Sequence, residues 1–371
     1  MRVCHIGYST YLTAHKTDVI MYYIPSFAGL SDTPSFQISR RFYIKDIIMI
    51  NTDDLRDALR KFAFVRSEVV VDYTFLQLEG VPYEPLTMFM MNDSIALRLR
   101  VSAKITTPFS VRVRYADLQQ RLAKGRGQDL DIVITDTHLE LVGKRIHHKI
   151  PLVANVRSFT TASADTPMTK AAFRFTPLLG LEYIASNNGH ILGFNADRTL
   201  VRFFTADSYT SNFVLTGVQG RVLTSVFPSA EYAIIEGQLH VRTADNYGIF
   251  ALVKMDIPNM DILLNVSPTV SIDLTKTDAE EVQTLGFSDT CTFIVDGDSL
   301  RILAQSFDAG EGEWTKILPT IHPLTLVRVP TRTIRELVGD LTVNILSLPG
   351  TMALSLVTSD TITVTSGIVR A

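Results

Sequence analysis

The residue types that could do chemistry are few and scattered in this chain of 371 residues. The Asp-Gly-Asp triplet at 296–298 resembles the start of a calcium loop, but the twelfth position, which such a loop fills with glutamate, holds Phe307. His147 and His148 are adjacent within a strand pattern, so their side chains point to opposite faces and make a poor pair of metal ligands. The two carboxylates in GEGEW, at 310–314, follow a loop pattern in which acidic residues favour solubility.

Sequence motifs of the common enzyme classes are missing as well. We find no Gly-x-Ser-x-Gly, no P-loop, no Gly-x-Gly-x-x-Gly and no His-Glu-x-x-His. We therefore expect a protein that is not an enzyme, with no catalytic residues, no metal site and no cofactor.

The bulk composition is that of a globular protein of two or three domains. Hydrophobic residues make up 46% and charged residues 20%, and the formal net charge is −3, which excludes a histone-like basic protein but not a local basic face. Cys4 and Cys291 cannot build a disulfide framework. The N-terminus has no signal-peptide pattern, and the apolar stretch at 19–30 is too short to cross a bilayer. We expect a soluble, intracellular protein with no membrane partner.

Runs of five to eight Val, Ile, Thr, Phe and Tyr residues, bounded by Gly, Asp, Asn and Pro, predict strands and hairpins along most of the chain. Between them, short segments have helical spacing. One of them carries a Thr-x-x-Glu capping box from Thr277 to Glu280. The predicted helices span 52–62, 115–125, 176–185, 217–227, 277–286 and 330–340.

The predicted helices recur in a fixed context. Each follows a strand and precedes a strand, a turn and another strand, and every second helix starts roughly a hundred residues after the last. This pattern predicts an α+β protein with six copies of a strand–helix–strand–strand–strand half module, paired into three domains. The alternative is one large all-β protein with occasional helical turns, such as a viral structural sandwich.

One phrase shows the repetition most clearly. CTFIVDGDSLRILAQS, at 291–306, is an apolar run, a Gly-Asp turn and a second alternating run, and similar phrases stand at 130–145, 231–244 and 352–367. We interpret it as a hairpin in which Asp296 and Gly297 turn the chain.

Three domains of two half modules each resemble the bacterial DNA polymerase sliding clamp, the ring-forming processivity factor. The stretches at 271–318 and 324–370 are similar to the two halves of the last clamp domain. The stretch at 109–153 resembles the close of the first domain, and the stretch at 231–260 resembles the close of the second.

The resemblance covers residues 47–371 and has two departures. Residues 1–46 have no counterpart and form an N-terminal extension of unknown role. The Thr-Asp-Gly-His-Arg-Leu-like strand of clamp domain two corresponds to 203–215, where only Ala206 and Asp207 match. Such divergence would suit a phage or other mobile element. The implied domains are 47–153, 154–268 with a linker at 154–170, and 269–371.

The resemblance implies a homodimeric ring of six domains around duplex DNA, bound without regard to sequence. Domain one of one chain would pair with domain three of the other by continuing a sheet. Helices would line the hole and offer cations to phosphates. The implied DNA-facing residues are Arg56, Arg60, Lys61, Arg121, Lys124, Arg126, Arg221, Lys276, Arg332 and Arg335. The alternative is that these are ordinary solvated helix faces.

The resemblance also implies partners, namely a DNA polymerase and a clamp loader that bind through short peptides. Their cleft would lie between domains two and three. The residues implied there are Phe204, Asp207, Tyr209, Pro258, Leu263, Leu264, Ile368 and Val369. The alternative is that these residues are core.

A clamp would work in the cytoplasm with the nucleoid, or in the host cytoplasm if phage-encoded. The competing function is a β-rich structural or virion protein without a DNA role.

Overall fold

The computed structural model describes the residues that follow. They are 48–66, 74–123, 127, 129–144, 146–154, 161–163, 165–206, 209–285, 289–306, 310–348 and 350–366. Contacts divide the chain into two units, 1–44 and 45–371. The expected extension at 1–46 therefore lies outside the described residues. Among the described residues, no helix is long and apolar enough to cross a membrane.

The first pair of half modules has the predicted order of elements. Its elements are β1 (Ile48–Asn51), α1 (Thr52–Arg66), β2 (Phe75–Gly80), β3 (Leu86–Met91), β4 (Ile95–Val101), β5 (Ala103–Ile105), β6 (Phe109–Arg114), α2 (Tyr115–Leu122), β7 (Asp129–Ile134), β8 (His138–Val142) and β9 (His147–Pro151). The first strand of each half pairs with the other half, since β1 pairs with β7 and β6 with β2. This exchange locks the two halves into one domain.

The second pair repeats the exchange, with β10 on β15 and β14 on β11. Its elements are β10 (Thr169–Ala171), a 3₁₀ helix (Thr176–Leu178), β11 (Tyr183–Asn187), β12 (His190–Phe194), β13 (Leu200–Thr205), β14 (Phe213–Thr216), α3 (Gly217–Val226), β15 (Ala230–Ile235), β16 (Gln238–Arg242) and β17 (Tyr247–Ala251).

The third pair follows a connector that contains a helix missed by the sequence pattern, α4 (Met260–Asn265). Its elements are β18 (Val270–Leu274), α5 (Lys276–Gln283), β19 (Thr290–Ser306), β20 (Gly310–Pro330), a 3₁₀ helix (Thr331–Glu336), β21 (Leu341–Leu348), β22 (Thr351–Val357) and β23 (Ile362–Ser366). Here β18 pairs with β21, so the same exchange occurs a third time. The predicted α+β architecture of three paired modules is confirmed, while the boundaries at 47–153, 154–268 and 269–371 stay predictions.

Sheets run across the junctions between domains. One eight-stranded sheet joins the second domain to the first, in the order β10-β15-β16-β17-β4-β3-β2-β6. Another joins the second domain to the third, in the order β14-β11-β12-β13-β23-β22-β21-β18. The joining pairs are β4 with β17 and β13 with β23, both antiparallel. Backbone hydrogen bonds therefore fix each domain on its neighbour.

Two predicted α-helices are shorter 3₁₀ helices. The segment predicted at 176–185 stays helical only over Thr176–Leu178 and becomes strand β11 at Tyr183, since the backbone is already extended at Leu179 and Gly180 follows with φ +109°. The segment predicted at 330–340 is a 3₁₀ helix over Thr331–Glu336. Buried β-branched residues, which lower helix propensity, occupy its start.

The cap of α5 was predicted two residues too late. Thr275, directly after β18, accepts a hydrogen bond at Oγ1 from the Asp278 amide (3.2 Å), and Asp278 Oδ2 accepts from the Thr275 amide (2.8 Å). The helix starts where the chain leaves the strand, so the reciprocal pair is Thr275 with Asp278 rather than Thr277 with Glu280.

The hairpin predicted at Asp296 and Gly297 is wrong. Strand β19 runs through these residues without turning back, and Gly297, at φ +60°, lies in a bulge opposite His322 of β20. On either side of the bulge, β19 pairs with β20, at Val295 with Thr325 and at Ser299 with Ile317. The long partner strand holds β19 extended, and glycine accepts the left-handed conformation that the bulge needs.

Candidate functional site

The helical elements of different half modules contact one another. Helix α2 contacts α1, α1 contacts α3, α3 contacts the 3₁₀ helix at 176–178, and the 3₁₀ helix at 331–336 contacts α5. Arg202 of β13 connects the two 3₁₀ helices. It donates from Nη1 to the carbonyl of Pro177 in the first (2.5 Å) and pairs with Glu336 in the second. In the described part of the chain, six helical elements thus form one series.

The first helix, α1, shows why one face of these helical elements points away from the core. Leu55, Leu59 and Phe62 recur at helical spacing, and all three are almost completely buried against the sheets. The opposite face of α1 carries Arg60, whose side chain is 75% exposed and pairs with Asp57 at 2.8 Å. Apolar spacing therefore decides that the charged face points away from the core.

Arg56 of α1 has a structural role instead. Its Nε and Nη2 donate to the Leu122 carbonyl at 2.9 and 2.6 Å, and its Nη1 donates to Asp53 at 3.0 Å. The side chain is only 15% exposed. The guanidinium satisfies the last turn of α2, where carbonyls lack helical partners, so its charge serves the contact between α1 and α2.

The other implied cations differ in exposure. Arg121 on α2 and Arg221 on α3 are exposed, and Lys61 on α1 is half-buried. Lys276 opens α5 and lies 3.7 Å from Glu280, so it faces a carboxylate on its own helix. Lys124 and Arg126 lie outside the described residues.

Arg332 and Arg335 are exposed on the 3₁₀ helix at 331–336 and line a cavity of about 480 Å³. Arg332 Nη2 donates to Thr199 Oγ1 at 2.5 Å, across the junction of the second and third domains. Asp197 also lines this cavity, and the amide of Thr199, which donates to its carboxylate, lowers the pKa of Asp197. The positive charge of the two arginines is therefore partly offset at this junction.

The residues implied for a partner cleft separate into two places. Tyr209 belongs to the large core that the first two domains share, and Phe204, partly buried, packs against it. Tyr209 is 4% exposed, its hydroxyl donates to the Ala172 carbonyl at 2.7 Å, and burial raises its pKa. Tyr209 is thus a core residue, while Phe204 remains partly exposed on β13.

The connector between the second and third domains holds the other group. Pro258 is buried, Leu263 packs partly buried against a separate apolar cluster, and Leu264 is 43% exposed. That cluster contains Phe203, which lies on the opposite face of β13 from Phe204 because strand side chains alternate. Asp207, Ile368 and Val369 lie outside the described residues.

Sequence reasoning also missed helix α4 and its exposed apolar side chains. Asn259 caps this helix by accepting from the Asp261 amide at 3.0 Å, and Ile262 is 44% exposed on it. The Asn-x-Asp start before an apolar run was the signal that could have located the helix. Exposed apolar residues thus adjoin the connector at the junction of two domains.

Within the described residues, no group of three His, Cys, Asp or Glu side chains is placed to hold a metal ion. His147 pairs with Glu140 at 2.9 Å, and Lys149 pairs with the same carboxylate at 3.0 Å. Cys291 is buried on β19, and burial raises the pKa of its thiol to about 12. A thiol held protonated in this way is a poor nucleophile.

The sequence matches no protein-family model and no curated protein. Solved structures, by contrast, match along almost the whole described chain. The DNA polymerase III β subunit of Thermotoga maritima has a TM-score of 0.72 and 11% identity, over 88% of this chain and 100% of that chain. The DNA polymerase sliding clamp of Bacillus subtilis has a TM-score of 0.72 and 9% identity, and the DNA polymerase III β chain of Streptococcus pneumoniae has a TM-score of 0.70 and 12% identity. Both matches also cover 88% of this chain and 100% of the other chain.

Identities this low show the fold alone. The agreement nevertheless spans three domains, each with two half modules that exchange their first strands. This chain therefore has the sliding-clamp fold of the bacterial DNA polymerase III β subunit.

Proposed function

We propose that this protein is a DNA sliding clamp, a processivity factor that encircles duplex DNA and tethers a polymerase without catalysing a reaction. The observation that carries the proposal is the full-length likeness to clamp structures, over 100% of their chains. The protein would act where DNA is replicated, in the bacterial cytoplasm or, if phage-encoded, in the host cytoplasm.

The distribution of charge supports a DNA role. The whole chain has a formal charge of −3, yet the exposed faces of α1, α2 and α3 carry Arg60, Arg121 and Arg221. Contacts of arginine with phosphates are independent of base sequence and sensitive to salt, which allows a ring to slide. A homodimer would place two such sets around one duplex.

Topological linkage gives the decisive test. The protein would be loaded on nicked circular DNA and on the same DNA made linear, and the bound fraction would be followed after a step to high salt. We expect retention on the circle and rapid loss from linear ends, because a closed ring leaves only over an end. Equal loss from both, or a monomer in solution, would favour the alternative, a β-rich structural or virion protein.

Partner binding at the connector is a second part of the proposal. Ile262 and Leu264 are apolar, 44% and 43% exposed, and flank Leu263, which packs against the apolar cluster of the second and third domains. Apolar pockets beside a sheet commonly take short peptides. We expect immobilised C-terminal peptides of the polymerase and loader subunits encoded by the same genome to bind here.

Replacing Ile262 and Leu264 together with aspartate should weaken peptide binding by at least about tenfold, because two charges would enter an apolar contact. Surface plasmon resonance with the full chain would measure the change. Val338→Asp is the matched control, since Val338 is an exposed apolar residue on the third domain, 64% accessible. An equal effect of both changes would remove α4 from the binding surface.

A further inference from the structure

Two connectors link the three domains. The first connector, at 152–168, runs from β9 to β10, and the second connector, at 252–269, runs from β17 to β18. Each starts beside the first strand of a second half module, where the amide of its second residue donates to a carbonyl of that strand, on β6 for the first connector and on β14 for the second. Each leads into the first strand of the next domain. The two connectors are therefore equivalent, and the contacts that hold them can be compared.

The second connector is held by apolar contacts. Its Met260 is buried in one cluster with Phe203 of β13 and Val364 of β23, the two strands that join the second and third domains. Met255 and Ile257 of the same connector pack against this cluster. Because none of these side chains titrates, pH has no direct effect on this contact.

The first connector is held by a polar contact instead. The Ala162 amide donates to the hydroxyl of Tyr247 on β17 at 2.8 Å, and that hydroxyl lies 2.8 Å from Nδ1 of His240 on β16. Tyr247 is 2% exposed and His240 is 8% exposed. The three groups form a chain of hydrogen bonds, the connector pin, which attaches the first connector to the sheet.

The connector pin lies where the first two domains join. Tyr247 is directly opposite Arg98 of β4, at one end of the residue pairs between β4 and β17. The corresponding pair at the junction of the second and third domains is Ile362 of β23 with Phe203 of β13. Two polar side chains therefore occupy the place where the other junction has two apolar ones.

The geometry of the connector pin favours a neutral imidazole at His240. The Tyr247 hydroxyl accepts from the Ala162 amide, and it can donate its own proton to Nδ1 only while that nitrogen is unprotonated. An imidazolium donates from both ring nitrogens, so protonation removes the acceptor at the end of the pin. Acid would therefore act directly on the contact that holds the first connector.

The surroundings of His240 also oppose its protonation. Charged groups near the pin come from Arg98 of β4, Arg242 of β16, Glu231 of β15 and Glu236 in the turn between β15 and β16. The Arg98 guanidinium lies 5.6 Å from the centre of the Tyr247 ring, and Arg242 is paired with Glu231 at 2.9 Å. Burial lowers the pKa of His240, and the charge of Glu236 partly compensates. The first connector adds no titratable side chain at 161–163.

We infer that the first connector is a pH-sensitive link between the first and second domains, which neutral His240 holds on the sheet through Tyr247 and which acid releases. The second connector, held by apolar contacts, would stay in place under the same conditions. The link belongs to a single chain and does not depend on a DNA role.

The stability that the connector pin contributes should depend on pH. In the folded protein the pKa of His240 is lowered from the value of an unfolded chain, which is about 6.5. The contribution is therefore complete above about pH 6.5 and is lost as the pH falls through the lowered pKa of the folded state. Loss on acidification is the direction expected for a histidine that folding keeps neutral.

Hydrogen exchange of the full chain tests this link. Peptides that contain Ala162 would be followed by mass spectrometry from about pH 8 to about pH 5, and each rate would be divided by the rate of an unfolded chain at the same pH. We expect protection to fall at least about tenfold below about pH 6.5, because the hydroxyl that accepts from Ala162 loses the partner that fixes it. The second connector is the internal control and should keep its protection over the whole range.

Variants assign the response to His240. His240→Gln should abolish it, because the glutamine amide oxygen can accept from Tyr247 and does not titrate. Tyr247→Phe should lower protection at every pH, since it removes the hydroxyl that accepts from Ala162. His190→Gln, which replaces a partly exposed histidine of β12, is the matched control and should respond to pH as the natural chain does. Circular dichroism would verify that each variant is folded.

Three results would overturn the link. If the peptides that contain Ala162 keep their protection at low pH while the chain stays folded, His240 does not hold the connector. If His240→Gln responds to pH like the natural chain, a different group titrates. If both connectors lose protection together, acid unfolds the protein as a whole instead of releasing one connector.

Discussion

Replacing four cations of the helical series with glutamate is expected to lower the affinity for duplex DNA by about 100-fold or more at roughly 50 mM salt. The four are Arg60, Lys61, Arg121 and Arg221. Their side chains are exposed or half-buried, and they belong to α1, α2 and α3, of which α1 contacts the other two. In a dimeric ring the change would reverse eight charges that face the duplex.

The physical reason is counterion release. Each phosphate that a cation neutralises frees condensed ions, so losing a contact reduces the salt slope of log K by about 0.9. Fluorescence anisotropy with a labelled duplex, over a range of salt concentrations, would give both the affinity and the slope. The slope separates lost phosphate contacts from general damage to the protein, which has no reason to alter it.

A matched control reverses an equal number of lysines away from the helices. These are Lys104, Lys144, Lys170 and Lys254, all exposed on strands, turns or the connector. We expect less than a few-fold change in affinity, since these charges are not on the helical series. If the control loses as much affinity as the helix variant, binding follows total charge and the helices do not form the DNA surface.

The second large effect is expected at the junction of the first and second domains, where Gln219 is fully buried in α3. Its Nε2 donates to the Ser94 carbonyl at 3.1 Å and to the Ala251 carbonyl at 2.8 Å, and its Oε1 accepts from the Thr216 amide at 2.7 Å. Ser94 belongs to the first domain, so one amide caps a helix and also bridges two domains.

Gln219→Leu should destabilise the protein by about 2 to 4 kcal/mol, because three buried backbone groups lose a hydrogen bond without gaining contact with water. The midpoint of thermal unfolding, followed by circular dichroism, should fall by several degrees. Gln120→Leu, on the exposed face of α2, is the control and should leave the midpoint nearly unchanged. A shift equal to that of the control would show that the bridge between the domains contributes nothing.

The domain plan was accessible from the sequence because its signals are local and repeated. Alternation of apolar residues predicts the strands, and apolar residues at helical spacing predict α1. Both signals can be read within a short window of sequence. Six occurrences of the same order then indicate modules, although no single stretch identifies the fold. The direction of side chains was harder to predict, as Phe203 and Phe204 show, because a one-residue shift moves a side chain to the other face.

Features that depend on distant strands could not be predicted. The Asp-Gly-Asp triplet at 296–298 has turn chemistry, yet β20 holds it extended. Arg56 has the spacing of a surface cation, yet the end of α2, more than sixty residues away in sequence, takes up its hydrogen bonds. In both places the local preference is worth less than the contacts that the partner strand or helix supplies.

By itself, the sequence determined the α+β class, the six half modules and the lack of known catalytic motifs, because periodicity and motifs are properties of neighbouring residues. Only the tertiary structure decided that half modules exchange first strands, and that antiparallel strand pairs join the second domain to the first and to the third. Strand pairing joins residues far apart in the chain, and its register depends on which edges the folded domains leave available.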